Sequence, residues 1–149
     1  MAEIQSKCIF CKITSGNDDN TQIIHQNDDF VVIKDIRPAA LHHYLVIPKH
    51  HIPNPKQLDN SHVILVENLV SIGKQVMTDH KGDDQDTRYG FHWPPFHTIA
   101  HLHLHVISPA SSLGWLQRMI FRPNSFWFVT AEWLISRLKA MDLTRGDTT

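Results

Sequence analysis

The stretch His101-Leu102-His103-Leu104-His105-Val106-Ile107 decides how this chain folds and what chemistry it can carry out. Histidine and leucine alternate along it, and successive side chains of a β-strand point to opposite faces of a sheet. The three imidazoles therefore share one face, about 6–7 Å apart, while the leucines face the other. The pattern predicts a strand over residues 102–108, with an apolar core on one side and an open cleft on the other.

Three kinds of site fit such a row of imidazoles. A neutral imidazole can attack phosphorus and form a covalent intermediate, while its neighbours bind phosphate oxygens or protonate a leaving group. Alternating histidines can also share a catalytic zinc, although residues 96–110 contain no Asp or Glu to act as a base or further ligand. The third interpretation is the solvated face of an ordinary half-exposed strand, in a chain that has 12 histidines.

Length and charge restrict the class of protein. A chain of 149 residues is expected to form a single domain, residues 1–149. The net charge of −1 provides no strong field for a polyanion, which makes nucleic acid an unlikely partner. No apolar run reaches the length of a signal peptide or a membrane span, so we expect no membrane partner. The expected location is the cytoplasm, with the nucleus as an additional compartment.

The segments on either side of the histidine run predict an α+β fold with an antiparallel sheet, since most connections between strands have hairpin length. The turn-prone residues 27–29 separate two of the strands, and Pro48 ends a third. Strands are expected at 21–26, 30–34, 44–47, 88–91 and 102–108, and helices at 8–14, from Asp59 or Ser61 to about Thr78, and at 131–141 after a Thr130 cap. Residues at helical spacing should face the sheet from the long helix: Leu65, Leu69, Ile72 and Val76.

The histidine run matches, residue for residue, the His-φ-His-φ-His-φ-φ signature (φ, apolar) of the histidine triad (HIT) superfamily, and the chain resembles that family. Three further segments resemble the family's motifs in the family's order: Cys8-Ile9-Phe10-Cys11-Lys12-Ile13, Lys34-Asp35-Ile36-Arg37-Pro38 and His43-Tyr44-Leu45-Val46-Ile47-Pro48-Lys49. Residues 90–96 and 124–128 are similar to the histidine triad nucleotide-binding protein 3 branch. The second of these segments also resembles the aprataxin catalytic domain.

The resemblance implies the HIT fold, an antiparallel meander of about five strands with two main helices. Its core would span about residues 8–109, and residues 110–149 would form a C-terminal extension with a terminal helix. The implied activity is hydrolysis of purine nucleoside 5′-phosphoramidates, in which AMP is joined to an amine, with acyl-AMP as a further substrate class. Catalysis would need no cofactor, and family members similar to this chain form homodimers or larger homo-oligomers.

The same resemblance implies roles for individual residues. His103 would be the nucleophile, His105 would contact the phosphate oxygens, and His43 would lie within hydrogen-bond reach of His103. Asp35 would bind the ribose hydroxyls, although a turn-capping role is equally compatible with its sequence context. The implied walls of the base site are Ile9, Phe10, Ile13, Ile36 and Leu45, and the implied contacts near the phosphate or leaving group are Thr98 and His97.

Two departures from the family pattern lie in that last region. His97 stands where the family often has Gln, and Pro94-Pro95 replaces a glycine-rich loop. Proline has no backbone N–H and stiffens the chain. Both departures affect contacts with the leaving group.

Cys8 and Cys11, the two cysteines, have the C-x-x-C spacing of half a tetrahedral metal site. Without a secretion signal, a metal or redox role is favoured over a structural disulfide. The resemblance implies a structural zinc completed by His51 and His101, with His50 as an alternative to its neighbour. The other interpretation is a pair of reduced, partly buried thiols.

Two other functions remain open on the sequence. The aprataxin resemblance suggests removal of AMP from adenylated DNA 5′-ends, which would require a basic groove. A nucleotide-binding scaffold with little catalysis would use its aromatic residues as a subunit interface.

Overall fold

Six strands form one antiparallel sheet in the order β1-β2-β3-β5-β4-β6. The computed structural model describes residues 7–146, with side chains to residue 141. The strands are β1 (Ile23–Gln26), β2 (Phe30–Lys34), β3 (His42–Pro48), β4 (Arg88–His92), β5 (Leu104–Ser108) and β6 (Phe128–Thr130). The helices are α1 (Ile9–Thr14), α2 (Val63–Asp79), α3 (Trp115–Ile120) and α4 (Ala131–Gly146).

Short polar side chains set the ends of these elements. The Asn27 side chain accepts hydrogen bonds from the N–H groups of Asp29 and Phe30 and so closes the β1–β2 turn. Thr130 caps α4 by accepting from the N–H of Trp133, as predicted. Asp59 caps a short 3-10 turn that precedes α2, so the long helix begins at Val63 instead of directly after the cap.

The two faces of the sheet carry separate apolar clusters. One face packs against α2 and α4 through Val32, Val46, Leu104 and Val106 from the strands and Leu69 and Leu138 from the helices. Of the four α2 residues predicted to face the sheet, Leu69 and Val76 are buried, and Leu65 and Ile72 are partly buried against the same cluster. The other face packs against α1 through Phe10 and Ile13 and, farther along, against Leu113 and Phe121 at either end of α3.

The α+β class, the antiparallel sheet and the two main helices are as predicted, whereas the described residues form six strands instead of about five. The additional strand, β6, pairs with β4 and comes from the segment predicted to be an extension. Two strands are shorter than predicted, since β1 begins at Ile23 and β5 begins at Leu104. The short helix α3 was not predicted. No helix in the described part of the chain is long and apolar enough to cross a membrane.

Candidate active site

The three histidines of the run lie on the same side of the sheet, next to α1. His101 and His103 precede β5 in an extended segment that is held by a hydrogen bond from the Leu102 N–H to the Ile52 carbonyl oxygen, at 2.7 Å. The ring of Phe10 lies 5.0 Å from the His103 ring and 6.0 Å from the His101 ring, centroid to centroid. Leu102 and Leu104 are buried on the opposite side. The predicted alternation therefore holds, although only His105 of the three lies within the strand.

His103, the middle histidine, has a fixed proton position. Its Nδ1 lies 2.7 Å from the carbonyl oxygen of His101. Because a carbonyl oxygen only accepts hydrogen bonds, Nδ1 carries the proton and Nε2 keeps its lone pair. Burial lowers the pKa of His103 to about 4, and the hydrogen bond to His101 opposes this effect only in part. The ring is therefore neutral at pH 7.

His105 and His43 form a second hydrogen-bonded unit beside the first. The N–H of Ala39 donates to His43 Nδ1 at 3.0 Å, which leaves the proton of the neutral ring on Nε2. His43 Nε2 lies 2.9 Å from Nδ1 of His105 and therefore donates to it. The remaining His105 nitrogen, Nε2, then carries a proton that can be donated to an oxygen. The predicted contact of His43 with His103 is thus replaced by a hydrogen bond to His105.

Among the described side chains, Asp35 has the only carboxylate close to these rings. Its Oδ2 lies 3.3 Å from His43 Nε2, and its Oδ1 accepts a hydrogen bond from the Arg37 N–H at 2.8 Å. The second bond is the turn-capping role that the sequence left open. Burial lowers the pKa of His43, and the Asp35 charge opposes that shift.

The residues predicted to surround the base differ in exposure. Phe10 is buried beside His103, and Ile13 and Leu45 are buried in the cluster behind it. Ile9 is 44% exposed and Ile36 is 91% exposed, so both are available to a ligand. Thr98 is exposed, and His97 is partly buried. The Nδ1 atom of His97 is buried and has no hydrogen-bond partner among the described residues.

His92, at the end of β4, is a site residue that the sequence analysis missed. Its ring centroid lies 4.9 Å from that of His105, and burial lowers its pKa to about 4, helped by the nearby His97 and His43. The residue is placed there because Gly90 pairs with His105 across the two strands, and the next side chain on the same face is His92. The register between β4 and β5 would have placed His92 in the site, but a single sequence does not show that register.

A second cluster joins α1 to the start of the histidine run. The ligand atoms of Cys8, Cys11, His51 and His101 all lie within 4.8 Å of one another. Cys11 Sγ is 3.2 Å from His51 Nδ1 and 3.5 Å from His101 Nδ1, and Cys8 Sγ is 3.4 Å from His101 Nδ1. Four tetrahedral S and N ligands of zinc are separated by about 3.3–3.8 Å, given Zn–S and Zn–N bonds of about 2.3 and 2.0 Å.

The hydrogen bonding of His101 also fits a metal ligand. His101 Nε2 lies 2.8 Å from the carbonyl oxygen of Pro48, to which it donates, so the lone pair is on Nδ1 and faces the cysteines. The geometry places His51, and not its neighbour His50, at this cluster. Both thiols are free of a disulfide. The donor set therefore suits a closed, four-coordinate zinc site.

Comparison with known proteins identifies the family. Residues 7–120 match the family described as scavenger mRNA decapping enzyme C-terminal binding. Adenosine 5′-monophosphoramidase HINT3 of Xenopus tropicalis is 49% identical over 134 residues, which are 89% of this chain and 88% of that protein. HINT3 of Mus musculus is 45% identical over 136 residues, which are 90% of this chain and 82% of that protein.

More distant similarity extends to further proteins. Aprataxin of Ciona intestinalis is 26% identical over 134 residues, which cover only 34% of that protein. The solved structure of a HIT family hydrolase from Clostridium thermocellum matches with a TM-score of 0.64 and 30% identity, over 69% of this chain and 90% of that one. The chain therefore belongs to the histidine triad family and has the HIT fold.

Proposed function

We propose that the protein hydrolyses adenosine 5′-phosphoramidates, in which the phosphorus of AMP is bonded to an amine nitrogen. The observation that carries this proposal is the hydrogen bond from His103 Nδ1 to the His101 carbonyl oxygen, which leaves the His103 Nε2 lone pair for attack on phosphorus. The names of the HINT3 relatives support the same substrate class. Acyl-AMP is a second substrate class, because it presents the same phosphorus with an oxygen leaving group.

The reaction proceeds in two steps at phosphorus. His103 Nε2 forms a bond to phosphorus while the P–N bond to the amine breaks, and the departing nitrogen takes up a proton from solvent. Water then attacks phosphorus and loses a proton to solvent, while the bond from phosphorus to His103 Nε2 breaks, which releases AMP and restores the neutral ring. The net reaction consumes one water molecule and requires no cofactor.

The neighbouring residues stabilise the charge and hold the nucleotide. His105 donates from Nε2 to a phosphate oxygen, since its Nδ1 already accepts from His43. Asp35 accepts from the ribose hydroxyls with Oδ2, the carboxylate oxygen that does not accept from the Arg37 N–H. Phe10 forms the inner wall of the base site, Ile9 and Ile36 form its outer edge, and Thr98 and His97 lie toward the leaving group.

The decisive experiment is the His103→Ala variant with an AMP–amine conjugate as substrate. We expect hydrolysis to fall by at least about 10³-fold with the thermal unfolding curve unchanged. Acid quenching of the wild type during turnover should trap a covalent adenylyl adduct on His103. The matched control is His25→Ala, which removes an exposed histidine of β1 and should leave the rate unchanged. A His103→Ala variant with wild-type rates would exclude the proposal.

We further propose that Cys8, Cys11, His51 and His101 hold a structural zinc ion, on the donor geometry given above. All four positions are protein ligands, which leaves none for a catalytic water. A bound zinc supplies a cross-link between α1, the chain after β3 and the start of the histidine run. Because Phe10 lies between Cys8 and Cys11, this cross-link would keep its ring against His103.

Self-association and a cytoplasmic location, with the nucleus in addition, are also part of this proposal. The apolar side chains on α3 support an interface between copies, since Trp115 is 77% exposed and Met119 is 53% exposed. Sedimentation at micromolar concentration tests the first point, and a monomer would contradict it. Imaging of a fluorescently tagged chain tests the location, and exclusion from the cytoplasm would contradict it.

A further inference from the structure

An open groove of about 590 Å³ lies where the end of β4, the turn before β6 and α4 meet. We call it the aromatic groove and define it by four rings and two guanidinium groups: Trp93, Phe126, Trp127, Trp133, Arg122 and Arg137. None of the histidines of the active site lines it. Trp93 follows His92 in sequence, but its ring packs against the α2–α4 cluster, whereas the His92 ring faces His105.

The three tryptophan rings of the aromatic groove are held in place without a ligand. The Nε1–H of Trp127 donates to the carbonyl oxygen of Met119 at 2.7 Å, and the N–H of Trp93 donates to the carbonyl oxygen of Trp127 at 2.8 Å. The Trp93 and Trp133 rings meet edge to face, with centroids 5.5 Å apart. Phe126 projects from this frame with 86% of its surface exposed. The groove therefore combines three fixed tryptophan rings with one exposed phenylalanine ring.

The charge of the groove is uniformly positive. The guanidinium of Arg137 lies 5.3 Å from the Trp93 ring and 5.7 Å from the Trp133 ring, which orients it along the aromatic surface. Among the described side chains, no carboxylate lines the groove and none forms an ion pair with Arg122 or Arg137. A purely apolar ligand would desolvate these charges, and an aliphatic anion would leave the rings uncovered. A ligand with a planar ring and an anionic group would cover the aromatic rings and also pair with the guanidinium charges.

We propose that the aromatic groove binds a nucleoside monophosphate unit at a site separate from the active site. The base stacks on the exposed face of Phe126, and the phosphate receives hydrogen bonds from the guanidinium groups of Arg122 and Arg137. The volume of about 590 Å³ suits one nucleotide, since pockets for small ligands span about 300–1,000 Å³. The unit can come from a free nucleotide or from the 5′-phosphorylated end of a single strand.

Fluorescence anisotropy of a 5′-phosphorylated oligothymidine with a 3′ fluorophore tests the proposal at low ionic strength. We expect Phe126→Ala and Arg137→Gln each to weaken binding by about tenfold, because stacking and the phosphate contact are lost separately. The matched control Lys56→Gln removes an exposed cation outside the groove and should bind like the wild type. His103→Ala should also bind like the wild type.

Competition identifies the source of the nucleotide. Displacement of the oligothymidine by excess AMP supports a free nucleotide, and displacement only by unlabelled oligothymidine supports a strand end. The groove variants should keep the wild-type kcat and KM on a small AMP–amine conjugate, so the result is independent of the proposed hydrolysis. Absence of binding by the wild type, or equal binding by Phe126→Ala, Arg137→Gln and the wild type, would overturn the proposal.

Discussion

The Nε2 atom of His43 lies 2.9 Å from the Nδ1 atom of His105, and the direction of this hydrogen bond is set by the backbone. The Ala39 N–H donates to His43 Nδ1, so only Nε2 can carry the proton of the neutral ring. His43 thus holds His105 in the tautomer whose outer nitrogen donates. In the proposed reaction His43 therefore acts through His105 and is a positioning residue.

Replacement of His43 should reduce kcat more than it changes KM. In His43→Ala, His105 is free to adopt the other tautomer, and we expect kcat to fall by about 10–100-fold, the range for loss of a residue that orients a functional group, and less than the roughly 10²–10³-fold for loss of the donor itself. His43→Gln provides the matched variant, because its amide N–H can still donate to His105. A rate for the Gln variant that is no better than that of the Ala variant would contradict the positioning role.

Asp35→Asn separates the two roles of this residue. An amide oxygen can still accept from the Arg37 N–H and preserve the turn, but the charged acceptor for the ribose is lost. We expect KM for an adenosine phosphoramidate to rise by about tenfold, from the loss of one charge-assisted hydrogen bond. Steady-state kinetics with the 2′-deoxy substrate gives the control, since the wild type and the variant should differ less on it. A wild type that does not distinguish the two substrates would refute the ribose contact.

The stability of the protein should fall as the pH falls below about 6.5, the ordinary pKa of histidine. Burial lowers the pKa of His92 to about 4 in the folded protein, and burial also lowers the pKa values of His43 and His105. At pH values between about 6.5 and about 4, the unfolded chain binds protons that the folded chain does not, so the free energy of unfolding decreases with acidification. Urea unfolding at several pH values between 7.5 and 5 measures the slope.

The variant His92→Gln isolates the contribution of one ring to this pH dependence. Between pH 7.5 and pH 5 it should lose less stability than the wild type, by on the order of 1 kcal/mol. The groups that face His92 and remain in the variant are His97, His43, His103, His105 and Asp35. Identical slopes in the two proteins would show that folding does not lower the pKa of His92.

Gly90→Ala should destabilise the fold through a steric conflict at the active-site strand. A Cβ atom at Gly90 would lie 2.4 Å from Phe128 Cε1 and 2.7 Å from the Val129 carbonyl oxygen, and a backbone oxygen cannot move independently. We expect a loss of about 2–3 kcal/mol in the free energy of unfolding. In Gly114→Ala the new atom meets only the flexible end of Gln117, and the cost should be below about 1 kcal/mol. Equal costs for the two variants would contradict the packing described here.

Removal of the proposed zinc should lower thermal stability. Elemental analysis should find one zinc ion per chain in the wild type and less in Cys11→Ser, because a serine hydroxyl is a poor ligand for zinc. A lower Tm after chelation, restored by added zinc, is the expected result. His50→Ala is the matched control and should keep the metal. Full metal content in Cys11→Ser, or an unchanged Tm in a chain shown to be metal-free, would contradict the site.

The local alternation of histidine and leucine was enough to predict which side of the sheet each side chain of the run faces. Alternation of period two placed Leu102 and Leu104 in the core and the histidines on the other side, even though the strand begins later than predicted. The tautomers of His101 and His43 could not be predicted in this way. They depend on the Pro48 carbonyl and the Ala39 N–H, which are brought to the rings by the tertiary fold.

Short elements and distant pairings account for what the sequence did not show. The strand β6 has three residues and α3 has six, too few for a hydrophobic period to stand out. The cysteine pair was visible as half of a metal site, but its partners lie 40 and 90 residues away from Cys11. Their assignment rested on family resemblance, and the structure brings all four residues together.

The pairing of β6 with β4 bears on how a minimal hydrolase could be made from this chain. A fragment that ended after the last family motif, near residue 109, would strip the partner from β4 and turn an interior strand into an open edge prone to aggregation. It would also remove the Phe128 ring that fills the space above Gly90 and lies against His92. A shortened chain for expression or crystallisation should therefore include α4, since the carboxyl-terminal third packs against the strands of the active site.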